Sequence, residues 1–132
     1  MTDIVAQVAK YLAEKTGRTY GTDVFYYQMP DSVDDCVVVQ RNKLNVSVPV
    51  QIDADVYSIR VAARNTSANT AYAVACEMWN ALLADTDENA GFIQLEETYA
   101  RVDLFDKPLW ESSDQQGRKV FDFTARLITK RL

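Results

Sequence analysis

The sequence has no histidine and very few cysteines, glycines and prolines. Among 132 residues there are two Cys, four Gly and three Pro. Without histidine the chain has no copy of the commonest general base and metal ligand. The glycines are scattered at positions 17, 21, 91 and 117, so no Gly-rich phosphate loop is present. These absences argue against most enzyme classes.

The cysteines and the N-terminus indicate an intracellular setting. Cys36 and Cys76 lie in the apolar runs "CVVV" and "AVACEMW", without the CxxC spacing of a zinc site. We therefore expect reduced, buried thiols. The start, "MTDIVAQVAKYL", lacks the basic region and long apolar core of a signal peptide, and no run approaches a membrane span.

Charge is unevenly distributed along the chain, whose net charge is −5. Residues 65–114 hold ten acidic and two basic side chains, whereas residues 115–132 hold five basic and one acidic. An acidic chain of this kind is not expected to bind nucleic acid by neutralising phosphates. Two interpretations of the split stay open: solvated surfaces of either sign, or copies of the protein that meet through opposite charges.

Carboxylates form three short clusters that could in principle bind Mg²⁺ or share acid–base work. All three lie in predicted turns or strand ends, where solvated acids are common. Adjacent acids on a strand would also point to opposite faces. A small carboxylate-using enzyme is therefore the weaker hypothesis. The clusters are Asp31, Asp34 and Asp35; Asp53 and Asp55; and Glu96 and Glu97.

Periodicity predicts two helices. The first runs over "TDIVAQVAKYLAEKTG", with Thr2 or Asp3 as N-cap and Gly17 as terminator. The second covers residues 67–84 after a cap at Thr66 or Ser67, and its only charge is Glu77. A helix that is apolar nearly all round is normally buried nearly all round. Since a chain of this length rarely surrounds such a helix, we expect another copy or a partner to cover part of it.

Alternation predicts strands at 22–29, 36–41, 55–64 and 118–131, and one bent strand or two short ones at 92–105. The Val-rich segment 43–53 contains Pro49 and suggests a hairpin arm spanning about residues 42–54. Residues 106–117 are interpreted as a long loop. The order α-β-β-β-α-β-β indicates a single α+β domain over residues 1–132, with two helices on one face of a mainly antiparallel sheet.

Several single residues could contact a partner. Arg60 and Arg64 share the polar face of the third strand. They either face solvent or pair with Asp122, or they form salt bridges between subunits. Leu109 and Trp110 form an apolar pair inside a charged loop. They either fold back onto the core or anchor a partner, since Trp is enriched at binding hot spots.

Four stretches in order resemble one known family. They are "DIVAQVAKYL", the aromatic strand ending in "MPD", "YSIRVAARNTSANTAYAVACEMWNAL" and "DQQGRKVFDFTARLI". Together they are similar to the tail terminator proteins of long-tailed bacteriophages, also described as minor capsid or head–tail joining proteins. The resemblance implies an α+β subunit that forms a six-fold ring on the finished tail tube, ends tube polymerisation and joins the tail to the head.

The resemblance also implies partners and a location. The partners would be other copies in a hexameric ring, the tail tube protein and a head-completion or neck protein, with DNA only as cargo passing through an acidic lumen. The protein would be assembled in the bacterial cytoplasm, would lie at the head-proximal end of the virion tail, and would have no membrane association.

No enzyme activity, cofactor or metal is expected. The loop 106–117 and the arm would be the projections that grip the tube or neck. Another connector component, such as a head-closure or adaptor protein, is the alternative. The hypothesised subunit or tail-tube interface comprises Arg60, Arg64, Trp79, Leu109, Trp110, Arg118 and Arg126.

Overall fold

The computed structural model of the chain describes residues 3–42, 54–88 and 92–130; of residues 84–88 and 130 it describes the backbone alone. The core of the predicted arm, residues 43–53, lies outside these ranges. The described elements are α1 (Ile4–Thr16), β1 (Val24–Tyr26), β2 (Cys36–Asn42), β3 (Ala54–Asn65), α2 (Ala68–Glu88), β4 (Phe92–Gln94), β5 (Tyr99–Leu104), β6 (Leu109–Ser113) and β7 (Lys119–Lys130).

Helix α1 begins and ends where its sequence predicts. The Asp3 carboxylate accepts a hydrogen bond from the Val5 N–H at 2.7 Å, which satisfies one of the free amides of the first turn. Gly17 ends the helix in the left-handed conformation, at φ 71°, which a residue without Cβ adopts at little cost. Lys15 lies in the last turn, where a positive charge is favoured.

The described strands form one sheet in the order β1-β2-β3-β7-β5-β4, with β6 also paired to β7. Its centre is the long antiparallel pair β3–β7, in register from Ala54↔Lys130 to Asn65↔Lys119. Because β3 occupies one edge of β7 along its whole length, β5 and β6 share the other edge. They pair with residues 125–129 and 119–122 respectively.

Both helices pack on the same face of the sheet and enclose the main core. One side of α2 supplies Ala71, Ala75, Met78 and Leu82, each at most 1% exposed. The predicted α+β class, with two helices on one face of a mainly antiparallel sheet, is confirmed. The opposite, helix-free face of the sheet carries a smaller buried cluster of Val38, Ala62 and Val120, packed under Met29.

Two details of the predicted sheet are wrong. The segment 106–117 is not all loop, because Leu109–Ser113 forms strand β6, held by pairing with β7 rather than by its own burial. The first strand covers only Val24–Tyr26 and runs parallel to β2. At its end Tyr27 adopts a positive φ of 67°, unusual for a bulky side chain, which lets the chain reverse direction before the turn at 30–35.

The protomer leaves part of α2 uncovered. Tyr72 is 42% exposed, and Ala73, Glu77 and Asn80 also face outwards. This agrees with the prediction that the protomer alone does not enclose the helix. Neither described helix is long and apolar enough to cross a bilayer.

Candidate functional site

The two acidic clusters that the structure describes in full lie at opposite ends of the sheet order, and Asp53 of the third lies outside the described residues. Asp31, Asp34 and Asp35 are exposed in the turn before β2. Glu96 and Glu97 lie in the bend between β4 and β5 rather than on a strand, and Glu96 pairs with Lys10 at 3.3 Å. Within the described ranges, no group of three or more His, Cys, Asp or Glu side chains is arranged to hold a metal ion.

Arg60 is the centre of a polar network on the helix-free face. Its Nε donates to Asp122 on β7 at 2.7 Å, which is one of the alternatives that the sequence left open. Its Nη1 donates to the Gln40 side chain at 2.6 Å, and Glu111 on β6 lies 3.8 Å from its Nη2. Gln40 in turn donates to the Tyr27 carbonyl at 2.7 Å. Arg60 therefore connects β2, β3, β6 and β7 within one protomer.

Arg64 and Arg118 fasten the turn 30–35 to the sheet. The Arg64 Nη2 donates to the carbonyls of Pro30 and Val33. Arg118 is 2% exposed and donates from Nη1 to the Asp31 carbonyl at 2.8 Å and from Nε to the Asp114 carboxylate at 2.6 Å. Both guanidinium groups face into the protomer, so their observed contacts position this turn.

The charge pair of Asp114 and Arg118 is reflected in their pKa values. Desolvation acts to raise the pKa of Asp114, but hydrogen bonds from the Arg118 and Gln116 backbone N–H groups and from the Arg118 guanidinium lower it overall. The hydrogen bond to Asp114 raises the pKa of Arg118, against the opposing effect of desolvation. The turn "DQQGR" is thus closed by an ionic pair, with Gly117 at φ 76°.

Trp110 belongs to an exposed aromatic group at the edge of the sheet. Its ring lies edge-on to Phe121 with 5.5 Å between centroids, and Phe121 meets Tyr72 of α2 in the same manner at 5.4 Å. Trp110 is 52% exposed, so about half of its side chain packs against the protomer and the other half faces outwards. The neighbouring Leu109 is 60% exposed and pairs with Asp122, which places it on the opposite, helix-free face.

Trp79 and Arg126 occupy two other parts of the surface. The Trp79 ring is half-buried against the core, beneath the Lys107 Nζ at 5.8 Å from its centroid. Arg126 donates to Asp103 on β5 at 2.8 and 3.1 Å and lies 5.9 Å from the centre of the Phe105 ring. Its side chain is still 41% exposed.

The predicted interface residues therefore do not converge on one patch. Arg60 and Arg126 lie on the helix-free face, Trp110 lies towards α2, and Arg64 and Arg118 point inwards. Sequence reasoning did not identify Phe121 and Tyr72 as members of the aromatic group. The sheet register places Phe121 beside Trp110, and the packing of α2 on the sheet brings Tyr72 to the other side of Phe121.

The comparisons with known proteins give one result. A family model described as "Bacteriophage tail terminator protein" matches residues 11–131. None of the curated proteins compared with the chain is a match.

Proposed function

The chain belongs to the bacteriophage tail terminator family, and on this premise we propose that it forms a ring that caps the tail tube, ends tube polymerisation and joins the tail to the head. Membership makes the chain a structural component of the virion tail that works with other tail or head components. The observation that carries the proposal is the family match over residues 11–131, nearly the whole chain.

The strand β6 is the surface that best suits contact with a second chain. Among the described strands it pairs with β7 alone, so its outer edge has unpaired backbone N–H and C=O groups. An exposed edge that carries large apolar side chains is a ready template for another strand. Leu109 and Trp110 supply such side chains on its two faces.

The other predicted interface residues take different parts in this proposal. Arg126 and Arg60 present polar groups on the helix-free face, and Trp79 lies beneath the connection between β5 and β6. Arg64 and Arg118 hold the turn 30–35 in place. The ring is proposed to be hexameric, with the tube protein on one side and a head-completion protein on the other. It has no catalytic role, and DNA passes through its lumen.

Tube-length measurements test the capping function. Purified tail tube protein of the same phage is polymerised with and without this chain, and electron microscopy measures the tubes. We expect the wild-type chain to appear as a ring at tube ends and to stop growth. Tubes that grow equally long with and without the chain would contradict the proposal.

Trp110→Ala tests the contribution of β6. Because loss of an interface Trp costs about 2 kcal/mol or more, we expect tube capping to need at least about tenfold more protein. The melting temperature should change little, since the ring is half exposed in the protomer. Tyr99→Ala is the matched control, because Tyr99 is 62% exposed and belongs to no described ring pair. A Trp110→Ala variant that melts far below wild type would assign Trp110 to the core instead.

A further inference from the structure

We propose that a cavity beside α2 receives a carboxylate from an adjoining subunit, an inference that rests on the ring proposed above. The cavity has a volume of about 240 Å³ and lies where the end of α1, the start of β2, the end of β3 and the first half of α2 come together. Two arginines, Arg18 and Arg64, line it, as do Asp23, Asp35 and Val74.

Arg64 is a buried cation without a counter-ion in the part of the chain that the structure describes. It is 6% exposed, and its Nη2 is used by two backbone carbonyls. Its Nε is buried and has no nitrogen or oxygen partner among the described residues, and none of their carboxylates forms an ion pair with it. The Cys36 thiol also lines the cavity and interacts with the Arg64 guanidinium, but a thiol is a weak acceptor and carries no charge to balance it. Burying a charged group is costly unless it is paired, so the cavity beside Arg64 favours an anion.

Arg18 supplies a second unused donor on the same cavity. Its Nη2 binds the Glu77 carboxylate at 2.9 Å, while its Nη1 is buried with no partner among the described residues. Two guanidinium groups on one cavity suit a carboxylate. The planar guanidinium N–H groups match the two oxygens of a carboxylate and form charge-assisted hydrogen bonds with them.

The other lining groups favour a single carboxylate over a nucleic-acid backbone. Asp35 is exposed, so solvent screens its charge, and the Asp23 carboxylate accepts from the Thr19 N–H at 3.3 Å. These two acids repel any anion, but they repel a continuous line of phosphates more than one monoanionic head group because each added charge adds to the repulsion. Binding of DNA phosphates would also have to overcome the net charge of −5.

Size and composition point to a protein side chain as the source. A volume of 240 Å³ is below the roughly 300 Å³ at which drug-sized ligand sites begin, and it fits the head group of an Asp or Glu. Residues 65–114 carry ten acidic and two basic side chains, so a second copy presents an excess of carboxylates. Complementary charges of this kind fix the register between subunits.

The cavity itself is tested with acetate as the free carboxylate. In the ¹⁵N-labelled full chain, acetate should shift the Arg64 and Arg18 Nε–H signals and leave those of Arg60 and Arg126 in place. A short DNA oligonucleotide, added at the same charge concentration, should leave all four unchanged. Arg18→Gln keeps the contacts of Arg64 and should weaken acetate binding by about tenfold, as loss of one charge-assisted hydrogen bond predicts.

The subunit source is tested by supplying the carboxylate within the chain. Val74→Glu places an acid on the cavity wall, and it should abolish the acetate response and reduce ring assembly on tubes at least tenfold. Val74→Gln introduces a side chain of the same size as Glu but without its charge. Asn69→Glu adds the same charge to an exposed position of α2 outside the cavity lining. Both controls should bind acetate and assemble as wild type does.

Each outcome decides the inference. The expected pattern supports it. Normal assembly by Val74→Glu overturns the subunit source while the ring stands, even if acetate binds as a free anion. If DNA shifts the arginine signals and acetate does not, the choice of ligand is wrong. If acetate shifts neither the Arg64 nor the Arg18 signal, and Arg18→Gln responds as wild type does, the site itself is wrong. A wild-type chain that forms no ring on tubes overturns the proposed function and the subunit source together, whereas the acetate response reports on the cavity alone.

Discussion

Arg118 and Arg126 have different roles in this molecule, and they differ in burial. Arg118 is 2% exposed and is surrounded by Asp114 at 2.6 Å, Asp31 at 3.6 Å and Asp34 at 3.7 Å. Arg126 pairs with Asp103 and keeps 41% of its side chain exposed. The Arg118 guanidinium fixes local geometry through several acceptors at once, whereas the exposed Arg126 is accessible to a partner.

Replacing Asp114 should change how stability depends on pH. Its folded pKa is lowered, as Arg118 and Gln116 outweigh desolvation, so the carboxylate stabilises the fold above its unfolded pKa of about 3.9. This contribution is lost as the pH falls through the lower, folded value. We expect wild type to lose more stability than Asp114→Asn as the pH falls below about 4.

Urea titrations of both proteins between neutral and acidic pH measure this difference. Asp106→Asn is the control, because Asp106 is exposed and makes no described ion pair. Its curve should run parallel to that of wild type. Parallel curves for wild type and Asp114→Asn would show that the pair with Arg118 does not contribute to acid stability.

The sequence offered one arginine contact among its alternatives and gave no sign of another. Arg60 and Asp122 both occupy the polar positions of alternating strands, so their pairing at 2.7 Å follows once the strands are adjacent. The partners of Arg64 are backbone carbonyls of a turn some 30 residues earlier, and carbonyls leave no signature in residue types. Its inward orientation depends on how that turn folds over the sheet.

At the scale of elements, the start of α2 offers a direct test of capping. The sequence allowed either Thr66 or Ser67, and the structure selects Ser67, whose Oγ accepts from the Thr70 N–H at 3.3 Å. We expect Ser67→Ala to lower the free energy of unfolding by about 1 kcal/mol. Thr66→Ala should change it by less than about 0.5 kcal/mol, as at other exposed positions. Denaturant unfolding of the two variants provides the comparison, and equal losses would refute the assignment.

Periodicity predicted the elements that bury a face and missed those that do not. Helix α1 and strands β3 and β7 have regular apolar patterns because one side of each packs into the core. Strand β6 has mostly exposed side chains and exists through its hydrogen bonds to β7, so its sequence resembles a loop. Strand β1 is only three residues long and is followed by Tyr27 at positive φ, and no apolar pattern encodes its parallel pairing.

At the scale of the whole molecule, part of the charge asymmetry is already used inside the protomer. The acidic stretch 65–114 and the basic C-terminal stretch meet at Asp103–Arg126 and at Asp114–Arg118. These contacts join β5 to β7 and close the turn before β7. The charges left over determine how copies attract one another, and the proposed ring contact should therefore weaken as salt screens them.

Reversing the charge of Arg126 tests whether it faces another subunit in the ring. Arg126→Glu removes the positive charge from the helix-free face, and we expect assembly on tail tubes to fall at least about tenfold, within the range for charges at an interface. The same variant places Glu opposite Asp103 across two strands, and this repulsion destabilises the protomer by itself. Capping assays must therefore be read beside the melting temperature.

The double variant Asp103→Arg with Arg126→Glu separates the two effects. It restores an ion pair between the same positions, since these residues are in register on β5 and β7, but the positive charge now lies on β5. If a neighbouring subunit binds Arg126 directly, the double variant should regain the wild-type melting temperature and still cap tubes poorly. Full recovery of capping would mean that Arg126 serves only its own protomer. If the double variant has wild-type stability but does not cap tubes, β7 lies at the contact between subunits. In that case only a group outside the protomer can tell whether the positive charge is on β7 or on β5.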